Sequence, residues 1–137
     1  MKRKAANSAM PCPCGSGQDY AACCGRYHDG QPVPSAEVLM RSRYAAFVLG
    51  NEAYLRQSWA AETLPDELLL DAGVKWLGLS ILSTEAGGEQ DQTGVVTFVA
   101  RYKINGRAGR MRECSRFVRE QGLWRYLDGE VDNQGLS

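Results

Sequence analysis

Four of the chain's five cysteines (Cys12, Cys14, Cys23 and Cys24) and its only histidine, His28, lie within residues 12–28 of a 137-residue sequence. The spacing is C-x-C-x8-C-C. Four thiolates make a complete tetrahedral set for a zinc ion, at about 2.3 Å per Zn–S bond, and leave no position open for a substrate. Such a site is structural. Pro11 and Pro13 stiffen the first ligand arm, and Gly15 and Gly17 permit the turn that brings backbone amides toward the sulfurs. Residues 18–22 are expected to form one helical turn that presents the second pair. A segment this short cannot fold on apolar burial alone, so zinc, worth roughly 10–16 kcal/mol of apparent binding energy in comparable modules, would serve as its core. Cys24 is the expected fourth ligand and His28 the alternative, since zinc accepts either donor.

Composition narrows the other possibilities. Sixteen basic and sixteen acidic side chains cancel, so no global field draws the chain to nucleic acid or an anionic membrane. Nucleic-acid binding through the cysteine segment and nearby arginines would need a local patch and a steep salt dependence. No stretch approaches the roughly 18 uninterrupted apolar residues of a membrane span, and MKRK is followed by AANSAM rather than an apolar signal region. A cytoplasmic location is expected, where disulfides are rare and clustered thiols point to metal. A vicinal 23–24 bridge would also be strained.

The elements that must position these groups follow from pattern. After His28, DGQPVPS breaks helix and strand alike, giving two units: residues 1–34, the zinc segment with its linker, and 35–137. Ser35 caps a helix that ends at Gly50, with Val38, Leu39, Tyr44, Phe47 and Val48 mostly along one stripe. Glu52–Trp59 and Leu64–Leu70 are expected as second and third helices. The period then changes to that of strands at Val74–Ser83, Gly94–Ile104, Gly109–Arg119 and Leu123–Val131. Asn105-Gly106 marks a hairpin. Helices followed by a strand meander give an α+β fold with helices on one face of an antiparallel sheet.

Polar groups inside these patterned segments are the second candidate site. A curved sheet under helices closes over a pocket. Asp128 or Glu113 would be its catalytic base, Arg101 or Arg116 its anion partner, and Trp76 and Tyr126 its walls. Against this, Arg–Glu pairs on neighbouring strands commonly serve as surface ion pairs, and aromatics in strands as core. Arg41 and Arg43 also interrupt the first helix. Cys114, single and mid-strand, is expected to be a buried small hydrophobe.

CPCGSG, then Tyr20, then Cys23-Cys24-Gly25 resembles the SEC-C motif, the zinc-binding tail of the SecA preprotein translocase ATPase. There a histidine usually follows the third cysteine; here Cys24 takes that place. Over nearly the full chain, LMRSRYAAFVLGNEAYLRQSW, WLGL, VVTFVARYKINGRAG and ECSRFVREQGLWRYLDG resemble the YchJ-like bacterial proteins. That resemblance implies a SEC-C motif joined to a nuclear transport factor 2-like domain, a cone of helices over a bent sheet. It carries no established reaction. It does imply protein contacts through the zinc knuckle, with Tyr20, Arg26 and Tyr27 as docking residues and the basic residues 2–4 assisting. The expected function is an adaptor whose knuckle docks on another protein while the cone domain binds a ligand or peptide. The alternatives are an enzyme acting on a small polar substrate, and nucleic-acid binding.

Overall fold

The computed structural model describes residues 10–68, 70 and 73–134, so the basic residues 2–4 lie outside the described residues. The cysteine segment forms a 3-10 turn, Tyr20–Ala22, followed by a short helix α1, Cys24–His28. Helix α2, Ala36–Leu49, begins where Ser35 Oγ accepts the Val38 amide at 3.2 Å and ends at Gly50 in the left-handed conformation, φ 72°. Both caps satisfy backbone groups that a helix end leaves unpaired. Helix α3, Glu52–Gln57, is capped by Asn51.

The expected third helix does not form among the described residues of 64–70. Arg56 donates to the carbonyls of Pro65, at 3.4 Å, and Asp66, at 2.6 Å, while Leu68 and Leu70 pack against the main core. Those backbone acceptors are thereby taken up by a side chain rather than by a helical turn.

Four strands follow: β1 Val74–Ala86, β2 Thr93–Ile104, β3 Arg107–Glu120 and β4 Leu123–Gln134. They form one antiparallel meander in the order β1-β2-β3-β4. Two-residue loops close the last two hairpins. Asn105-Gly106 and Gln121-Gly122 both take positive φ at each position, the geometry that matches strand twist. The β1–β2 loop is held instead by Arg119, which donates to the carbonyls of Gly88, Glu89 and Asp91.

Helices cover one face only. Val96, Phe98 and Ala100 of β2, Phe117 of β3 and Trp124 of β4 point inward and pack with Leu39, Tyr44 and Leu55 of the helices. Three register shifts bend the sheet: at Leu77 and Leu82 of β1, and between Arg116 and Phe117 on β3, opposite Leu127 of β4. Such bulges increase local twist and re-aim side chains. Ser58 and Ala60 exchange backbone hydrogen bonds with Tyr126, so the segment after α3 lies along the outer edge of β4. No helix among the described residues is long and apolar enough to cross a membrane.

Candidate metal centre and cone cavity

The four cysteine sulfurs of the segment converge. All lie within 4.8 Å of one another, and Cys14 Sγ is 3.7 Å from Cys23 Sγ. Four sulfurs about 2.3 Å from a central ion stand about 3.8 Å apart along each edge of the tetrahedron, so the arrangement fits a tetrahedral cation. Every cysteine is a free thiol. Loop geometry makes the convergence local: the Cys12 amide donates to Gln18 O at 2.9 Å and the Gly15 amide to Cys12 O at 3.1 Å, folding the first ligand arm back. The backbones of Cys14 and Cys24 favour the thiolate of Cys12, against the burial that raises it.

Without a cation these thiols resist sharing charge. The Cys24 hydrogen bond holds the Cys14 thiol far below its ordinary value, and Cys14 in turn pushes Cys24 far above. Burial raises Cys12. One thiolate is favoured and its neighbours stay protonated; a bound dication would reverse that balance and let all four ionise.

His28 does not join the sulfurs. Its Nε2–H donates to Ser42 O at 2.8 Å, and its Nδ1 accepts from the Tyr20 hydroxyl at 2.6 Å. Both nitrogens are spent, Nδ1 within the knuckle and Nε2 on joining it to α2, so Cys24 is the fourth member of the cluster. Arg41 Nη1 reinforces the joint by donating to Cys14 O at 3.2 Å, and Cys12, Cys14 and Cys24 share one buried cluster with Ala45. The expected docking residues are partly consumed here. Tyr27 is only 7% exposed and belongs to the main core, and Tyr20 is half-buried against His28. Arg26 alone of the three is exposed.

The second site lies between α2 and the sheet, a cavity of about 200 Å³. Tyr44, Phe47, Trp59, Trp76 and Phe98 supply most of its aromatic wall, and Arg43, Glu113 and Tyr126 its polar groups. Trp76 and Tyr126 therefore sit where a pocket wall was expected. Glu113 Oε2 accepts from Ser115 Oγ at 2.6 Å and from the Tyr126 hydroxyl at 2.9 Å. Gly129 makes room for that carboxylate, which a Cβ there would strike. Burial and the adjacent Glu113 charge push the Tyr126 phenol up, keeping it a donor.

Asp128, Arg116 and Arg101 are elsewhere. Arg116 Nε and Nη2 grip Asp128 at 2.7 and 2.6 Å on the outer face of the sheet, with side chains 60% and 43% exposed. The cause is the bulge. Leu127 is left out of the register, so Tyr126 pairs with Phe117 facing in while Asp128 pairs with Arg116 facing out. Uniform alternation would have kept Tyr126 and Asp128 together. Arg101 is exposed, its guanidinium lying over Gly78 of β1. Cys114 is likewise exposed, contrary to expectation, because it shares that outer face. Arg112, Cys114 and Arg116 stand opposite Asp132, Glu130 and Asp128 on β4, so Arg112 and Arg116 belong to a mixed-charge surface rather than a basic stripe.

Arg43 is the residue that motif reasoning left out of the pocket. Only 3% exposed, it donates through Nη1 to Leu55 O at 2.9 Å and Ser58 Oγ at 2.7 Å. Its guanidinium carbon lies 4.9 Å from the Trp59 ring centre and 4.5 Å from that of Tyr126. Burial pushes its pKa down to about 10, which leaves it a cation at neutral pH. Its position gave the signal: Met40, Tyr44 and Phe47, at i−3, i+1 and i+4, all face the core or cavity.

The architecture is thus that of a SEC-C knuckle seated on a nuclear transport factor 2-like domain, and comparison with known proteins agrees. Residues 11–26 match the SEC-C motif and residues 35–129 match the YchJ middle NTF2-like domain. The chain belongs to this YchJ-like family, whose relatives carry the name UPF0225. A UPF0225 protein of Cupriavidus pinatubonensis is 53% identical over 88% of each chain, and one of Streptomyces coelicolor is 50% identical over 88% of this chain and 94% of the relative. Among solved structures, a SEC-C motif-containing protein of Rhodopseudomonas palustris is 32% identical with a TM-score of 0.76, covering 88% of this chain and 98% of that one. Another, from Psychrobacter arcticus, is 27% identical with a TM-score of 0.73, covering 93% and 85%.

Proposed function

We propose that this protein is a zinc-braced binder of a small molecule, working in the reducing cytoplasm. The observation that carries the reading is the cavity under α2, where a buried guanidinium and a buried carboxylate face an aromatic chamber. Ligand sites have that composition: apolar walls with a few placed polar groups. The zinc centre supplies structure, because four thiolates close it to substrate and its segment is bonded to the helix that roofs the chamber. Soft thiolate donors in a tetrahedral set favour zinc among common divalent ions.

Two measurements test this. Protein purified without added metal is expected to carry one zinc per chain, lost in Cys12→Ser; metal-free protein with the native fold would remove the brace. Native mass spectrometry is expected to find a small-molecule adduct that Ala100→Leu, which narrows the chamber, eliminates. An adduct retained in that variant would place binding elsewhere.

Docking on a protein is the second reading, supported by the exposed rim at residues 15–19 and by Arg26. A partner that binds wild type and Arg26→Glu equally well would count against docking at this rim. An enzymatic role now rests on Glu113, the carboxylate of the two candidates that reaches the cavity.

A further inference from the structure

The charges in the cavity are oddly unmatched. Nη1 of Arg43 spends its two hydrogens on Leu55 O and Ser58 Oγ. Nε and Nη2 have no acceptor among the described residues, yet they are not sealed from solvent either: the one wholly enclosed side-chain atom without a partner, among those residues, is Trp124 Nε1. Three N–H groups of a side chain that is 97% buried are thus left for the cavity that Arg43 lines. Glu113 shows the same asymmetry. Both of its hydrogen bonds fall on Oε2, and Oε1 keeps its acceptor capacity. Although each residue lines the same chamber, no ion pair joins them among the described residues.

Two buried opposite charges held apart are costly unless something bridges them. The bridging group must accept from Arg43 and donate to Glu113. It must also be neutral overall, since the two charges already cancel and an added anion beside Arg43 would be repelled by Glu113 at low dielectric. The remaining wall asks for a flat apolar body. A cavity of about 150 Å³ holds one benzene-sized ring, so the chamber here, at about 200 Å³, has room for a ring with one small polar substituent.

We propose that the cavity binds a neutral aromatic or cyclic amide, its carbonyl oxygen on Arg43, its N–H on Glu113 Oε1, and its ring among Trp59, Trp76 and Phe47. This deepens, and rests on, the small-molecule reading given above. Buried polar groups shaped for such an edge reject analogues that leave them unpaired.

The test uses four ring compounds of similar size: benzamide, benzoate, benzylamine and toluene. Each is titrated into the full metal-loaded chain and followed through the backbone NMR signals of Ala100 and Met111. Benzamide is expected to bind at least ten-fold more tightly than the other three. In Glu113→Gln, where the repelling charge is gone, benzoate is expected to gain at least ten-fold relative to benzamide. Benzoate or benzylamine binding best to wild type would overturn the neutral amide class and leave the small-molecule reading intact. Toluene matching benzamide would show that the polar edge is not used, and would also overturn it. Failure of all four to perturb the cavity signals would overturn both this proposal and the reading beneath it.

Discussion

His28 spends both ring nitrogens within the protein, which makes a residue that had the look of a metal ligand into a joint between knuckle and helix. Only the neutral ring can accept from Tyr20 at Nδ1 while donating to Ser42 from Nε2. Burial holds its pKa below the ordinary 6.5. The unfolded ring therefore takes up a proton first as pH falls below that value, and stability supplied by the joint declines there. His28→Asn should lower the unfolding free energy read from urea titration at pH 7.5 by roughly 1–3 kcal/mol for two lost half-buried hydrogen bonds, and the gap to wild type should narrow at pH 5. A constant gap would show that the ring's protonation is irrelevant. Asp128→Asn should behave differently. Arg116 holds the Asp128 carboxyl below the usual carboxylate range, so the pair's contribution is present above that range and lost as pH falls through it. Because both side chains are substantially exposed, the melting temperature at pH 7 should match wild type within error. At this scale the sequence was readable where chemistry was local. Four cysteines within thirteen positions could only meet, whereas the inward aim of Arg43 and the outward aim of Asp128 depend on helix docking and on one skipped residue, Leu127.

Helix α2 was legible from end to end because its signals are its own: Ser35 at one cap, Gly50 at the other. Ser35→Ala should cost about 1 kcal/mol, read from thermal unfolding. The strand order was legible for the same reason, each hairpin carrying its turn residues beside it. Bulges were not, since nothing in β4 itself distinguishes Leu127 from its neighbours; the extra residue is chosen by what both faces must satisfy together. Close backbone approach is equally silent in sequence. At the base of the β1–β2 hairpin, a Cβ on Gly94 would stand 2.6 Å from Gly87 Cα and 3.1 Å from Ala36 Cβ. The Gly87 carbonyl also accepts the Ala36 amide at the start of α2. Gly94→Ala should consequently lower the melting temperature far more than Gly122→Ala, where the added methyl meets open space and only the φ of +81° is strained. Equal effects would mean that the hairpin base yields easily.

For the molecule as a whole, the linker before residue 35 divides the sequence into two units, and two units that melt separately would share little packing. The packing argues for one. Tyr27 of the cysteine segment lies in the same core as Phe117 and Trp124, and three of the cysteines form one buried cluster with Ala45 of α2. Stripping the metal with a chelator, or replacing Cys12 by Ser, should therefore lower a single cooperative unfolding transition followed by tryptophan fluorescence. Two separate transitions, with the upper one unmoved, would contradict this. Helix α2 has a further property. It presents Ser42 and Ala45 to the metal segment, and Met40, Arg43, Tyr44 and Phe47 to the chamber. Any free energy by which the bound ion steadies that helix for a ligand must be returned in full when the ligand binds first. Occupancy of the chamber would then tighten the hold on the ion, and the two events, on opposite flanks of one helix, would share a single coupling constant.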